Sequence, residues 1–209
     1  MGGRFKMSYD MQDNLVFSKG AAQNTDTATI QAMIPGCVSV DAAMEAADRN
    51  GVDYIATLRK GARIFIDAKT RRRGCSKYWR KMADGRHEPE VALEKWSVLP
   101  GGKYAKSDGK VGWTLCEQKQ TDLILYTFDH EDCRDVFLFP FQLLRIAFKK
   151  NIEQWYRTCK VDVQDSGSWQ SEAVFVPVTL VFIAIRDISQ ATVIQSVNGA
   201  VELQYKFNY

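Results

Sequence analysis

Histidine is nearly absent from this chain, with only His87 and His130 among 209 residues. That scarcity argues against an HNH-type nuclease site or a multi-histidine phosphohydrolase centre, both of which need several imidazoles in one place. His130 and Cys133 have a ligand-like gap, but no second Cys/His pair accompanies them, so they read as surface residues rather than half of a zinc site. The five cysteines, Cys37, Cys75, Cys116, Cys133 and Cys159, are odd in number and form no Cys-x-x-Cys pair, which fits reduced thiols in a cytoplasm rather than a disulfide framework. Long apolar runs are also missing. The apolar, uncharged stretch Ala173 to Ile185 is interrupted by Pro177 and falls short of the roughly 20 residues that span a bilayer. Arg4 and Lys6 precede no apolar export segment, and Lys6 stands where a myristoylation signal needs Ser or Thr. The expectation is a soluble, cytoplasmic protein without a membrane partner. Neither a Gly-x-Ser-x-Gly elbow nor a Gly-x-x-x-x-Gly-Lys-Ser/Thr loop occurs. Charge of one sign is not in excess, since 28 Lys and Arg face 25 Asp and Glu for a net +3, so only local clustering can identify a polyanion partner.

What the chain does have is a globular composition, 45% hydrophobic, 11% aromatic and 25% charged. Residues 1–35 mix Gly, Asn, Gln, Ser and Thr without a period and read as an arm or loosely packed lead-in, leaving 36–209 as one domain. Ser39 as N-cap, the Ala-rich run Val40 to Arg49 and the stop Asn50-Gly51 predict a short helix. Asp53 to Leu58 and Arg63 to Lys69 are β-rich runs joined through Gly61, which predicts a hairpin. Further strands are expected at Val91 to Val98, Trp113 to Glu117 and Thr121 to Phe128, the last two as a candidate second hairpin. Two segments share one pattern: Phe137 to Pro140 runs into Phe141, and Val174 to Pro177 runs into Val178. Each predicts a short strand whose proline sits at the start of a helix, where its fixed φ and missing N–H are tolerated. In the first of these helices Phe141, Leu144, Phe148, Ile152 and Trp155 make one apolar stripe for a core. The fold class is α/β, with a mixed central sheet flanked by helices.

Chemistry concentrates in the first hairpin. Asp53 opens one strand and Asp67-Ala68-Lys69 ends its partner, so strand alternation puts Asp67 and Lys69 on one side with Asp53 within reach from the neighbouring strand. Two carboxylates and a backbone carbonyl such as that of Ala68 form an oxygen-rich nest suited to Mg2+ or Mn2+. Lys69 is placed to orient or deprotonate a water and to steady charge on a phosphorane-like transition state. Two other Asp/Glu-x-Lys tripeptides compete. Asp108-Gly109-Lys110 lies in a Gly/Lys-rich loop, whereas Glu117-Gln118-Lys119 ends a predicted strand and leaves Lys119 as a phosphate contact.

A helix followed by a hairpin carrying Asp and Asp-x-Lys resembles the PD-(D/E)XK nuclease superfamily, the restriction-endonuclease-like proteins, and among them small phage and plasmid members. Residues 39 to about 70 carry the resemblance, with a softer match downstream through Trp96-Ser97, Gly112-Trp113, Lys119 and Asp122 to Tyr126. Val52 stands where the signature has proline. The resemblance implies a restriction-endonuclease-like core and a Mg2+-dependent phosphodiesterase acting on DNA. Asp53 and Asp67 would be metal ligands, Lys69 the catalytic lysine and Glu45 the additional acid that some members use. Dimers that cut two strands, as many relatives form, make a homodimer one assembly to test.

The segment Thr70 to Lys81 holds six basic residues, Arg71, Arg72, Arg73, Lys77, Arg80 and Lys81, with Tyr78 and Trp79 beside them. Cations of this kind neutralise phosphates and release counterions, and Tyr78 or Trp79 is placed to stack on a splayed base. The competing reading is a nuclease-like fold without catalysis that binds nucleic acid or a partner protein, such as a factor of phage defence or counter-defence.

Overall fold

The computed structural model describes residues 27–44, 51–71, 78–103, 108–129, 134–189, 195–197 and 200–202. In chain order the elements are α1 (Thr27–Met33), β1 (Cys37–Ala42), β2 (Tyr54–Leu58), β3 (Arg63–Arg71), β4 (Trp79–Lys81), β5 (His87–Val98), β6 (Lys110–Val111), β7 (Leu123–Asp129), β8 (Arg134–Pro140), α2 (Phe141–Thr158), β9 (Lys160–Asp165), β10 (Gln170–Pro177), α3 (Val178–Ser189), β11 (Gln195–Val197) and β12 (Ala200–Glu202). The class is mixed α/β, as expected.

Where the sequence predicts one central sheet, the chain builds two of five strands each. The first has the order β1-β2-β3-β7-β8 and is mixed, because β3 and β7 run parallel while the other neighbours are antiparallel. The second has the order β4-β5-β10-β9 with β6 attached to β5, all antiparallel. Local patterning cannot separate these arrangements, because it reports which residues are apolar and not which strand they meet.

The β2–β3 hairpin forms as the pattern predicts, with Tyr54 opposite Ile66 and Thr57 opposite Arg63. Its turn needs Gly61, whose φ of 80° lies in the left-handed region that costs other residues a Cβ clash. The expected helix Val40 to Arg49 is not seen in its first part. Residues 37–42 instead form β1 on the edge beside β2, while 45–50 fall outside the described residues. Ala42 lies opposite Tyr54, so edge pairing has overridden the helical preference of an alanine-rich run. Helix α1, within the span read as a lead-in, buries Ile30 completely. Residues 113–117 form turns rather than a strand, with Leu115 and Cys116 N–H donating to the Gly112 carbonyl. The hairpin partner of β7 is therefore β8.

Sheet one is covered on both faces. Ile124, Tyr126 and Phe128 of β7 join the large core with Val91, Leu93, Phe139, Phe148, Val174, Phe175 and Val176, while Leu125 joins Ile30, Ile34, Tyr54, Ala56 and Ile66 on the other side. A strand buried on both faces reads as a continuous apolar run, which is how β7 is written. Both strand-proline-helix junctions form as expected. Pro140 is the N-cap of α2, and the Phe141 N–H donates to the Asp122 carbonyl at 2.8 Å, tying the helix start to the beginning of β7. Among the described residues, no helix is long and apolar enough to cross a membrane.

Candidate functional site

Asp53 sits immediately before β2, and three hydrogen bonds fix it. Its N–H donates to the Ile66 carbonyl at 2.8 Å, its own carbonyl accepts from the Ala43 N–H at 2.8 Å, and Oδ2 accepts from the Ala68 N–H at 2.6 Å. The last bond aims the carboxylate at the middle of Asp67-Ala68-Lys69 on the neighbouring strand. Asp67 is only 2% exposed, and Lys69 Nζ donates to its Oδ1 at 2.7 Å. The sequence reading expects this convergence of two carboxylates and a lysine, and alternation along β3 explains it.

A second lysine completes the cluster. Lys119, in the loop before β7, places Nζ 2.8 Å from Asp67 Oδ2 with its side chain 7% exposed. Oδ2 is therefore buried with its charge matched by this ammonium. The same ammonium donates to the Gly51 carbonyl at 3.3 Å, and the Thr121 hydroxyl donates to that carbonyl as well. Of the Glu117-Gln118-Lys119 tripeptide only the lysine reaches the site. Glu117 lies on the exterior, paired with Lys149 at 2.8 Å.

These neighbours set the two carboxylates apart electrostatically. Burial, and then the negative charge of Asp67, push the Asp53 carboxyl up to about 6. Burial alone would raise Asp67 also, but the ammonium groups of Lys69 and Lys119 outweigh it and hold this carboxyl below the ordinary range. For Lys69 burial acts downward and is more than offset by Asp67, which keeps the ammonium charged.

Asp67, Lys69 and Arg71 alternate along one face of β3 beside aromatic rings. Lys69 Nζ lies 5.8 Å from the Trp113 ring centre, and the Arg71 guanidinium lies 4.9 Å from both Tyr78 and Tyr126. Arg71 Nε donates to the Tyr126 hydroxyl, which accepts from the Ala92 N–H as well. Arg71 is thus committed to packing between rings. Tyr78 is buried against Phe175, with ring centres 5.4 Å apart, and this corrects its expected role: it has no open face for a base. Trp79 is half-buried against Phe128. Arg80 and Lys81 are exposed on the short strand β4. Glu45, Arg72, Arg73 and Lys77 lie outside the described residues.

Compared with protein-family models, curated proteins and solved structures, the chain matches none. Its chemistry must therefore be read from the cluster itself. Among the described residues, no group of three His, Cys, Asp or Glu side chains is gathered around a point. The donors nevertheless fit a hard divalent cation in kind: Asp53, just before β2, and Asp67 on β3 offer carboxylate oxygens side by side, and Asp67 Oδ2 is buried with a cation as its close partner. Carbonyls and retained waters complete such a shell for Mg2+. Sequence reasoning missed Lys119 as a partner of Asp67, together with Gly51 and Thr121. The signal for Lys119 was its competing Glu-x-Lys tripeptide; for the other two no sequence motif exists.

Proposed function

We propose that this chain is a Mg2+- or Mn2+-dependent nuclease that hydrolyses DNA phosphodiester bonds. The observation that carries the reading is the meeting of Asp53 and Asp67 across the β2–β3 hairpin with Lys69 bonded to Asp67. Asp53 and Asp67 hold the cation, which when bound supplies Lewis-acid stabilisation of charge developing on the phosphate. Lys69, 28% exposed at its side chain and held charged by Asp67, faces outward enough to orient a water and to balance charge in the transition state. Exposed Arg80 and Lys81 contact the DNA backbone. A mixed sheet with this hairpin inside it supports the resemblance to restriction-endonuclease-like proteins.

A second reading draws on the two ammonium groups that neutralise Asp67: a nuclease-like fold that binds nucleic acid or a partner protein without cleaving. Incubation with supercoiled, linear, single-stranded and branched DNA in MgCl2 or EDTA decides between them. Metal-dependent cleavage is expected. Lys69→Ala should retain DNA binding and lose about 100- to 1000-fold in cleavage rate, as removal of a group that acts in the transition state does. Binding without cleavage in MgCl2, and in MnCl2 in its place, would establish the second reading.

A further inference from the structure

Lys119 has no task in that mechanism, yet it is the more buried of the two lysines on Asp67, at 7% side-chain exposure against 28% for Lys69. Its ammonium touches the kind of atoms a metal ion takes. Asp67 Oδ2 is 2.8 Å away and the Gly51 carbonyl 3.3 Å away, a carboxylate oxygen and a peptide oxygen converging on one cation. The backbone is shaped around this ammonium. A Cβ on Gly51 would stand 2.0 Å from Lys119 Nζ and 3.1 Å from Cε, and Gly51 has a φ of 75°. The lysine reaches this point on a flexible four-carbon stem, the part of the residue able to withdraw when a stronger cation takes its place.

We infer that Lys119 is a built-in cation surrogate: its ammonium fills the oxygen cradle of Asp67 and Gly51 in the metal-free protein, and a divalent cation enters by displacing it. The inference rests on the metal-dependent reading of the site. Charge arithmetic supplies the reason for displacement. The cluster holds two carboxylates, Asp53 and Asp67, and two ammonium groups, Lys69 and Lys119. A divalent ion added to that balanced cluster meets both ammonium groups at close range, and withdrawal of the one that stands in its place relieves the larger share of the repulsion. The lysine in turn keeps Asp67 from being a buried, unmatched charge before metal arrives. Lys119 is thus a positioning residue for metal entry, separate from Lys69.

Titration of MnCl2 alone into the full chain, followed by calorimetry and by thermal melting, tests this. Lys119→Met should bind Mn2+ about tenfold more tightly or better than wild type, since a competing positive charge has gone, and should show the larger Mn2+-induced rise in Tm. Gly51→Ala keeps the lysine but crowds its ammonium out of the cradle, and should move Mn2+ affinity in the same direction. Asp67→Asn should abolish binding. If wild type binds Mn2+ and neither variant binds it more tightly, the surrogate role is overturned while the metal site stands. If neither wild type, Lys119→Met nor Gly51→Ala binds Mn2+, both the surrogate and the metal-dependent reading fall. Should Lys119→Met not fold, Gly51→Ala alone decides, and an unchanged affinity overturns the inference.

Discussion

In the second sheet, Val91, Ala92 and Leu93 of β5 stand opposite Val176, Phe175 and Val174 of β10, and all six are buried. In the first, Ile66, Asp67, Ala68 and Lys69 of β3 stand opposite Leu123, Ile124, Leu125 and Tyr126 of β7. Both are interior strand pairs, but their burial rests on different physics. Apolar pairs gain from area removed from water, which tolerates small displacements. A buried carboxylate gains nothing from area and depends on specific cations at specific distances, so the β3–β7 pair is sensitive to single atoms where the β5–β10 pair is sensitive to volume.

The largest effect expected from breaking this contrast is at Phe175, which is fully buried at the centre of β10. Phe175→Ala should lower stability by about 3–5 kcal/mol through lost transfer energy and a cavity. Urea unfolding measures that loss, and Mn2+ binding by the remaining folded fraction should be unchanged. Altered binding would show that the two sheets are coupled more closely than their separate chemistry implies.

A smaller effect, about 2 kcal/mol, is expected from Asp53→Asn, and it depends on pH. The Asp53 carboxyl is raised from 3.8 to about 6, so the folded state keeps its proton after the unfolded state has released one, and wild type loses stability as pH climbs through that window. Asparagine preserves an acceptor for the Ala68 N–H and does not titrate. The variant should match wild type near pH 4 and exceed it at pH 8. Asp67, with its lowered pKa, acts in the opposite direction, its stabilisation present at neutral pH and lost on acidification. Urea midpoints at both pH values read the difference, and a gap that shrinks with rising pH would reverse the assignment of which carboxyl is raised.

The smallest effect on the fold belongs to the surface. Arg80→Gln with Lys81→Gln, both exposed on β4, should leave stability within about 0.5 kcal/mol. If these residues contact phosphates, the slope of log affinity against log salt should flatten by about 2 units on duplex DNA. An unchanged slope would assign them to solvent.

How much of this was legible follows the distance over which each feature is determined. The β2–β3 hairpin and both strand-proline-helix junctions are local, set by Gly61, Pro140, Pro177 and the residues beside them, and the sequence predicts each. Asp53, Asp67 and Lys69 inherit that legibility because they ride on the hairpin. Lys119 does not. It reaches Asp67 only after β7 has aligned with β3, and no periodicity in the chain announces a parallel pairing across so many residues. The same limit explains β1, where the start of the alanine-rich run, Val40 to Ala42, joins a sheet edge, and Tyr78, whose ring looks available among arginines until the second sheet brings Phe175 onto it.

The parallel register of β3 and β7 also sets what a single pairing holds together. Between Arg71 and Leu123 the chain makes β4, β5 and β6, so this pairing closes a long loop. Lys119 and Thr121 immediately precede β7, and the Phe141 N–H is fastened to the Asp122 carbonyl at its start. One strand pairing therefore brings the second counter-charge to Asp67 and ties down the start of the long helix. A change that shifts β7 against β3 alters the charge balance of the cluster and the seat of the helix together.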